Sequence, residues 1–231
     1  MPTTPVLHLP FPADTDPADV PTDLQELALQ IEAVRNVANG IAGTDAAGLV
    51  SAAQIPPIAL VTALPASPVD GQEVILVDSL TAATYRWRLR YNAGASGANK
   101  WGYIGGSPAE ARVATSETTG TIGSYVNLGT VGPRFTVPRA GDYAVRFGAT
   151  FIDNNPESQL NIGVGVGDFS SPAADARGHI SANNYHLSVS GDAIITGLAA
   201  GGEIRAKYQH ALAGTLTVLN RYLYVTPVRV A

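Results

Sequence analysis

Four histidines, a short acidic run, scattered carboxylates and a row of arginines are the side chains in this 231-residue chain that could do chemistry. His8, His179, His186 and His210 make no H-x-H or H-E-x-x-H spacing, so no dedicated zinc site is expected. A metal on a three-fold axis could still take one histidine per chain, but an ordinary surface histidine is the reading adopted. Asp153-Asn154-Asn155-Pro156-Glu157 is rich in oxygen ligands. It lacks the alternating acidic spacing of a calcium loop, and Asn-Pro runs commonly form turns, so a turn is expected. Asp142, Asp153, Glu157, Asp168, Asp175, Asp192 and Glu203 include enough acids for a sugar-cleaving pair. Nothing in their spacing pairs any two of them. Gly123-Ser124 has no G-x-S-x-G context, and the chain contains no cysteine, which removes thiol and disulfide chemistry. No catalytic residue, metal or cofactor is therefore expected, and the chain reads as a non-enzyme.

Arg86, Arg88 and Arg90 alternate with Tyr85, Trp87, Leu89 and Tyr91. Period two places the aromatics on one face of a strand and the guanidiniums on the other. Such a ladder could attract an anionic polymer, but it is more often a solvated face that blunts a sheet edge. This strand belongs to an expected small β module over 61–106. Asp70-Gly71 is its turn dipeptide, Glu73–Val77 a second strand, Asn92–Asn99 a hairpin loop and Lys100–Ile104 the return. Gly105-Gly106-Ser107-Pro108 reads as a hinge into the next domain, 107–231. There, strand patterns recur at Tyr125–Leu128, Arg134–Val137, Tyr143–Ile152, Gln159–Val166, Tyr185–Val189, Ala193–Leu198, Glu203–Gln209 and Thr215–Val230, which predicts a β-sandwich. In Gln159–Val166 the apolar face carries Leu160, Ile162, Val164 and Val166. The other carries Asn161, Gly163 and Gly165, with Gly167 beyond, and so leaves room for another backbone or subunit.

Ahead of the strands lies the one convincing helix, over 21–42. Leu24, Ile31 and Ala38 recur every seven residues, and Leu27, Val34 and Ile41 do so at an offset of three, forming an a/d seam. Thr22 and Gln25 make a capping pair and Gly40 ends the helix. No second helix follows to cover the seam, and β-branched residues at both a and d favour three strands, so a trimeric coiled coil is expected. Residues 43–60 read as a linker or collar. Residues 1–20 are extended by Pro2, Pro5, Pro10, Pro12 and Pro17, and Val6, Leu7, Leu9 and Phe11 between them fit an anchor peptide laid on another protein.

Charged residues make up only 14% of the chain and apolar residues 45%, which fits subunits that bury surface against each other. A net charge of −5 argues against nucleic-acid binding. The start, Met1-Pro2-Thr3-Thr4, has no basic, apolar signal segment, so synthesis in a cytoplasm without Sec export is expected. The longest apolar run, Ile55 to Leu64, holds Pro56 and Pro57 and is too short to span a bilayer, so no membrane insertion is expected.

Three local patterns carry a family resemblance. Residues 1–34, with Leu9-Pro10-Phe11-Pro12 and Leu24-Gln25-Glu26-Leu27-Ala28, resemble the start of tail-fibre and minor tail proteins of long-tailed bacteriophages. Residues 64–106, with Trp87-Arg88-Leu89-Arg90-Tyr91 and Lys100-Trp101-Gly102-Tyr103-Ile104-Gly105-Gly106, resemble a small module common in such proteins. Residues 133–147 and Leu198–Tyr208 are similar to strands of C1q/TNF-like jelly rolls, with Gly202-Glu203 where that fold often has Gly-Asp. The resemblance implies a mainly β virion protein with a short N-terminal coiled-coil helix, a small β module and a C-terminal jelly roll. It implies a homotrimeric fibre or spike that docks on other virion proteins through residues 1–40 and adheres to a host cell-surface glycan or protein. A head fibre or capsid decoration protein, or a glycan depolymerase spike, is the alternative. For glycan contact, the loop aromatics Phe169 and Tyr185, with His186, are the candidates.

Overall fold

The computed structural model describes residues 24, 25, 27–29, 57–155, 158–180, 185–212 and 214–231. Trp87 and Leu89 of β3 (Arg86–Tyr91) are fully buried, while Arg86, Arg88 and Arg90 are exposed. Alternation in the sequence has thus become a two-faced strand. β3 pairs antiparallel with β2 (Glu73–Leu76) on one side and β4 (Trp101–Ser107) on the other. β1 (Ala59–Val61) adds to β2 in parallel. The expected turn is present, with Gln72 N donating to Val69 O at 3.0 Å and Gly71 at φ +78°, a conformation that glycine adopts without strain.

These strands do not stop at the expected boundary. That boundary at 106 falls inside β4, and β4 continues the sheet onto β13 (Leu216–Val230), with Gly102 opposite Arg229 and Trp101 opposite Val230. Trp87 supplies the reason. It stacks on Tyr85 at 4.0 Å, and the rings of Phe135 and Tyr143, from beyond the boundary, both lie 6.1 Å away. A few short strands cannot enclose an indole by themselves, so the aromatic face of β3 joins the neighbouring core.

That core lies between two sheets. The larger runs β1-β2-β3-β4-β13-β8-β11, where β8 is Gly141–Asp153 and β11 is His186–Leu198. β5 (Ala109–Val113) and β6 (Glu117–Thr119) also pair with β13. The smaller sheet runs β10-β9-β12-β7, from Ala174–Ile180, Ser158–Val166, Glu203–His210 and Arg134–Thr136. From β6 onward every connection but β9 to β10 passes from one sheet to the other, which is the winding of a jelly roll. Phe147 and Phe151 on β8 face Leu160, Ile162 and Val164 on β9 and Ile204 on β12, all fully buried. Each such side chain contributes about 1.5–3 kcal/mol by leaving water.

Several strands differ from the sequence expectation. The stretches expected at Tyr185–Val189 and Ala193–Leu198 merge into one continuous strand, β11, which begins at His186, because Gly191 stays extended opposite Phe147. A Cβ at 191 would sit 2.9 Å from the Phe147 ring, so this glycine makes room for packing and does not mark a turn. Residues 125–128 form no strand and touch β12 through the single bridge of Val126 with Tyr208. β5, β6 and β10 were not expected. β10 reads Ala-Asp-Ala-Arg-Gly-His-Ile, too polar to announce itself, and it is held by pairing along its length with β9.

The chain divides into two units, Met1–Pro57 and Ile58–Ala231. In the first, Leu24, Gln25 and residues 27–29 are helical, with Leu24 exposed and Leu27 half-buried. The remaining seam positions Ile31, Val34, Ala38 and Ile41, and the anchor residues Val6, Leu7, Leu9 and Phe11, lie outside the described residues. Among the described residues no helix is long and apolar enough to cross a membrane.

Candidate functional site

The outer face of the larger sheet carries an open groove of about 760 Å³. Register explains its shape. Ala144 of β8 lies between Ile194 of β11 and Thr226 of β13, and in the next row Arg146 lies between Asp192 and Tyr224. The small Ala144 side chain makes the floor and the larger residues make the walls. Ile194 is 66% exposed, although its alkyl side chain gains nothing from water. Arg146 and Asp192 form an exposed ion pair at 3.0 Å, worth little by itself. Beside them Arg112 lies over the Tyr222 and Tyr224 rings, 5.7 and 5.5 Å from their centroids, and hydrogen-bonds the Tyr224 hydroxyl. The face is thus grooved and partly aromatic, and its charges are paired or laid over rings.

Of the groove residues the sequence singled out only Asp192 for chemistry, as one of the scattered acids, yet a signal for the face was present. Ile194 and Ile195 are adjacent in a strand, so one of them must face away from the core. Ile195 is buried and Ile194 is the one left outside.

Phe169 lies on the opposite face of the sandwich, just past β9. Its ring covers Gly165, where a Cβ would lie 2.6 Å from Phe169 Cδ1, and Lys207 Nζ stands 5.1 Å from the ring centroid. Lys207 also donates to the Phe169 carbonyl and pairs with Asp168 at 2.7 Å. Hydrogen bonds from Lys207 and from Asn127 hold the Asp168 carboxyl below its ordinary range. Tyr125 covers Gly163 and donates to Asp175 at 3.0 Å. The space over these strand glycines, read from sequence as room for another chain, is therefore filled by this chain's own rings.

Tyr185, just before β11, is 58% exposed, and His186, the first residue of β11, is exposed. They stand five residues past Ile180, which pairs with Ser158 at one end of β9, whereas Phe169 follows the other end. Nine residues of strand span roughly 25 Å. The three candidate contact residues therefore do not form one site.

In the acidic run, Asp153, Asn154 and Asn155 have a structural use, while Pro156 and Glu157 lie outside the described residues. Asp153 is fully buried, with Oδ2 2.7 Å from His210 Nε2 and Oδ1 accepting from Asn155 N at 2.9 Å. Asn154 Oδ1 accepts from Thr215 N at 2.9 Å. His210 is equally buried, so this pair ties β8 to β12 inside the sandwich and cannot meet a substrate. Among the described residues no three His, Cys, Asp or Glu side chains converge as a metal site would require.

No protein family matches the chain, and no curated protein matches it in sequence. Among solved structures it is similar to the Eiger TNF of S. frugiperda, at 10% identity and a TM-score of 0.35, over 54% of this chain and 95% of that one. It is similar to the globular domain of zebrafish complement 1qA protein, at 15% identity and a TM-score of 0.32, over 54% and 99%. It is also similar to an infectious bursal disease virus structure, Gx strain, at 11% identity and a TM-score of 0.31, over 62% and 43%. Likenesses this loose carry no weight for role, and the jelly roll rests on the strand order above.

Proposed function

We propose that this chain is a non-enzymatic phage virion protein, a homotrimeric fibre whose first 40 residues dock on the particle and whose jelly roll adheres to a host cell surface. The observation that carries it is the row Ile194–Ala144–Thr226, an uncharged strip headed by the exposed Ile194 on the open face of the larger sheet. Such a strip favours burial against another protein surface, and copies of the same chain are always present at matching concentration. The heptad spacing of Leu24, Leu27, Ile31, Val34, Ala38 and Ile41 supports three copies, and none of these six residues is charged. Three weak host contacts on one trimer, multiplied over several trimers, give firm adhesion without a strong single site.

Light scattering on the full chain tests the assembly. The expected mass is about 72 kDa, three times the 23.9 kDa chain. A stable mass near one chain would overturn the fibre. Immunogold labelling of virions with antibody against residues 107–231 tests the location. Gold at the tail tip supports host adhesion, gold over the capsid makes this a head fibre or decoration protein, and no gold with an accessible epitope removes the virion assignment.

A further inference from the structure

The fibre reading makes no use of the arginine ladder, and two of its members differ in their partners. Arg88 pairs with Glu73 at 2.6 Å. Arg90, one step along the same face, has no carboxylate partner among the described residues. Its register is informative. Arg90 of β3 lies opposite Gly102 of β4, and Gly102 lies in turn opposite Arg229 of β13. Two guanidinium-bearing positions therefore flank a residue with no side chain, two strand spacings or roughly 10 Å apart. Lys100 stands two residues before Gly102, just ahead of β4.

The result is a pocket of about 400 Å³, lined by Arg90, Lys100, Arg229, Asp70, Asn92 and Ile104. That size is at the small end of ligand sites and holds one sugar ring. Arg229 is held only loosely, by Asp142 at 3.5 Å. Lys100 Nζ donates to the Ala93 carbonyl at 3.1 Å. Three cations against one lining carboxylate give this spot a positive balance on a chain whose net charge is −5.

The lining also has groups that a bare anion would not need. Asp70 Oδ1 accepts from Ala93 N at 2.8 Å, which leaves Oδ2 as an acceptor. Asn92 Oδ1 accepts from Gly94 N at 3.0 Å, which leaves its amide NH₂ as a donor. An acceptor and a donor at the rim match hydroxyl groups, and the cations match an acid group. Ile104, 47% exposed, offers an apolar edge of the kind a sugar ring's C–H face packs on.

We infer that the Arg90–Gly102–Arg229 pocket binds an acidic sugar residue, a hydroxylated ring carrying a carboxylate or a phosphate monoester. The inference takes its biological meaning from the adhesion reading, for which it names the ligand class. It is tested separately from that reading.

The test is ligand-observed saturation-transfer NMR on the full chain with glucuronate, glucose 6-phosphate, glucose and inorganic phosphate. Glucuronate or glucose 6-phosphate is expected to saturate with a dissociation constant near 1 mM, at least tenfold tighter than glucose and inorganic phosphate, and to weaken with added salt. Which of the two binds more tightly identifies the acid. Glucose or inorganic phosphate binding as well as the acidic sugars, or no saturable binding, overturns the inference. Two variants place the site. Arg90→Gln removes the unpaired charge and should weaken binding at least tenfold. Gly102→Leu fills the floor, and its Cβ would meet nothing nearer than the Arg90 carbonyl at 3.9 Å, so it should abolish binding at unchanged melting temperature. Wild-type affinity in either folded variant overturns the assignment. A 72 kDa trimer that binds no sugar removes the pocket alone, and a monomer that binds sugar removes the fibre alone.

Discussion

Arg221 is wholly buried, and its guanidinium lies over the Tyr208 ring, 5.7 Å from the centroid. Its guanidinium donates to the Thr130 and Thr115 carbonyls at 3.1 Å each and pairs with Glu117 at 2.8 Å. It thereby fixes the segment on either side of β6 against β13. Arg221→Met would leave those acceptors unsatisfied and is expected to cost about 3–5 kcal/mol in urea unfolding. Arg221→Lys should recover only part of that, since an ammonium cannot copy the fork. Glu117 makes the same contact sensitive to acid. A hydrogen bond from Thr130, at 2.6 Å from its hydroxyl, and the Arg221 charge hold the Glu117 carboxyl below its ordinary value of 4.5. The folded value is thus lower than the unfolded one. The stability this carboxylate contributes is complete above pH 4.5 and lost as the pH falls through the folded value. Asp78, Asp168 and Asp175 are shifted the same way. The urea midpoint is therefore expected to drop below pH 4.5, and Glu117→Gln should flatten part of that drop while lowering the midpoint at pH 7.

At the scale of elements, β9 shows how one strand can read correctly and be used differently. Its apolar side faces the core at Leu160, Ile162 and Val164 as expected, while Val166 runs out to 49% exposure. Its glycine side receives Tyr125 and Phe169 from its own loops. Gly165→Val would place side-chain carbon where the Phe169 ring lies. The ring and the Asp168–Lys207 contact should be displaced, with a loss of about 1–3 kcal/mol in thermal or urea unfolding. An unchanged stability would mean that the loop over β9 is held by other contacts.

At the scale of the whole molecule, the question is what covers the face bearing Ile194. Ile194 is exposed in the single chain, so Ile194→Asp should leave the folded unit intact and, if copies meet on this face, lower the mass from about 72 kDa toward one chain. Ile31→Asp puts a charge in the heptad seam and should also break the trimer. Light scattering with a circular-dichroism melt separates these outcomes from simple unfolding. A mass unchanged by Ile194→Asp removes this face from the assembly, and one unchanged by Ile31→Asp removes the seam.

The sequence by itself determined what depends on nearest neighbours along the chain. Period two in 85–91 set which side of β3 is buried, Asp70-Gly71 set its turn, and the long apolar alternation of 143–152 and 215–230 set two adjoining long strands of the larger sheet. What it could not determine depended on partners far away in the chain. Gly191 looks like a break until Phe147 is known to need its space. Residues 174–180 look like a polar loop until β9 is beside them. The 61–106 segment looks separate until Phe135 and Tyr143 are found against Trp87. The pocket at Gly102 is the clearest case, since Arg90 and Arg229 are far apart in sequence and become neighbours across one glycine only when β3, β4 and β13 pair in that register. Strand pairing, which local spacing does not encode, decided where these charges meet.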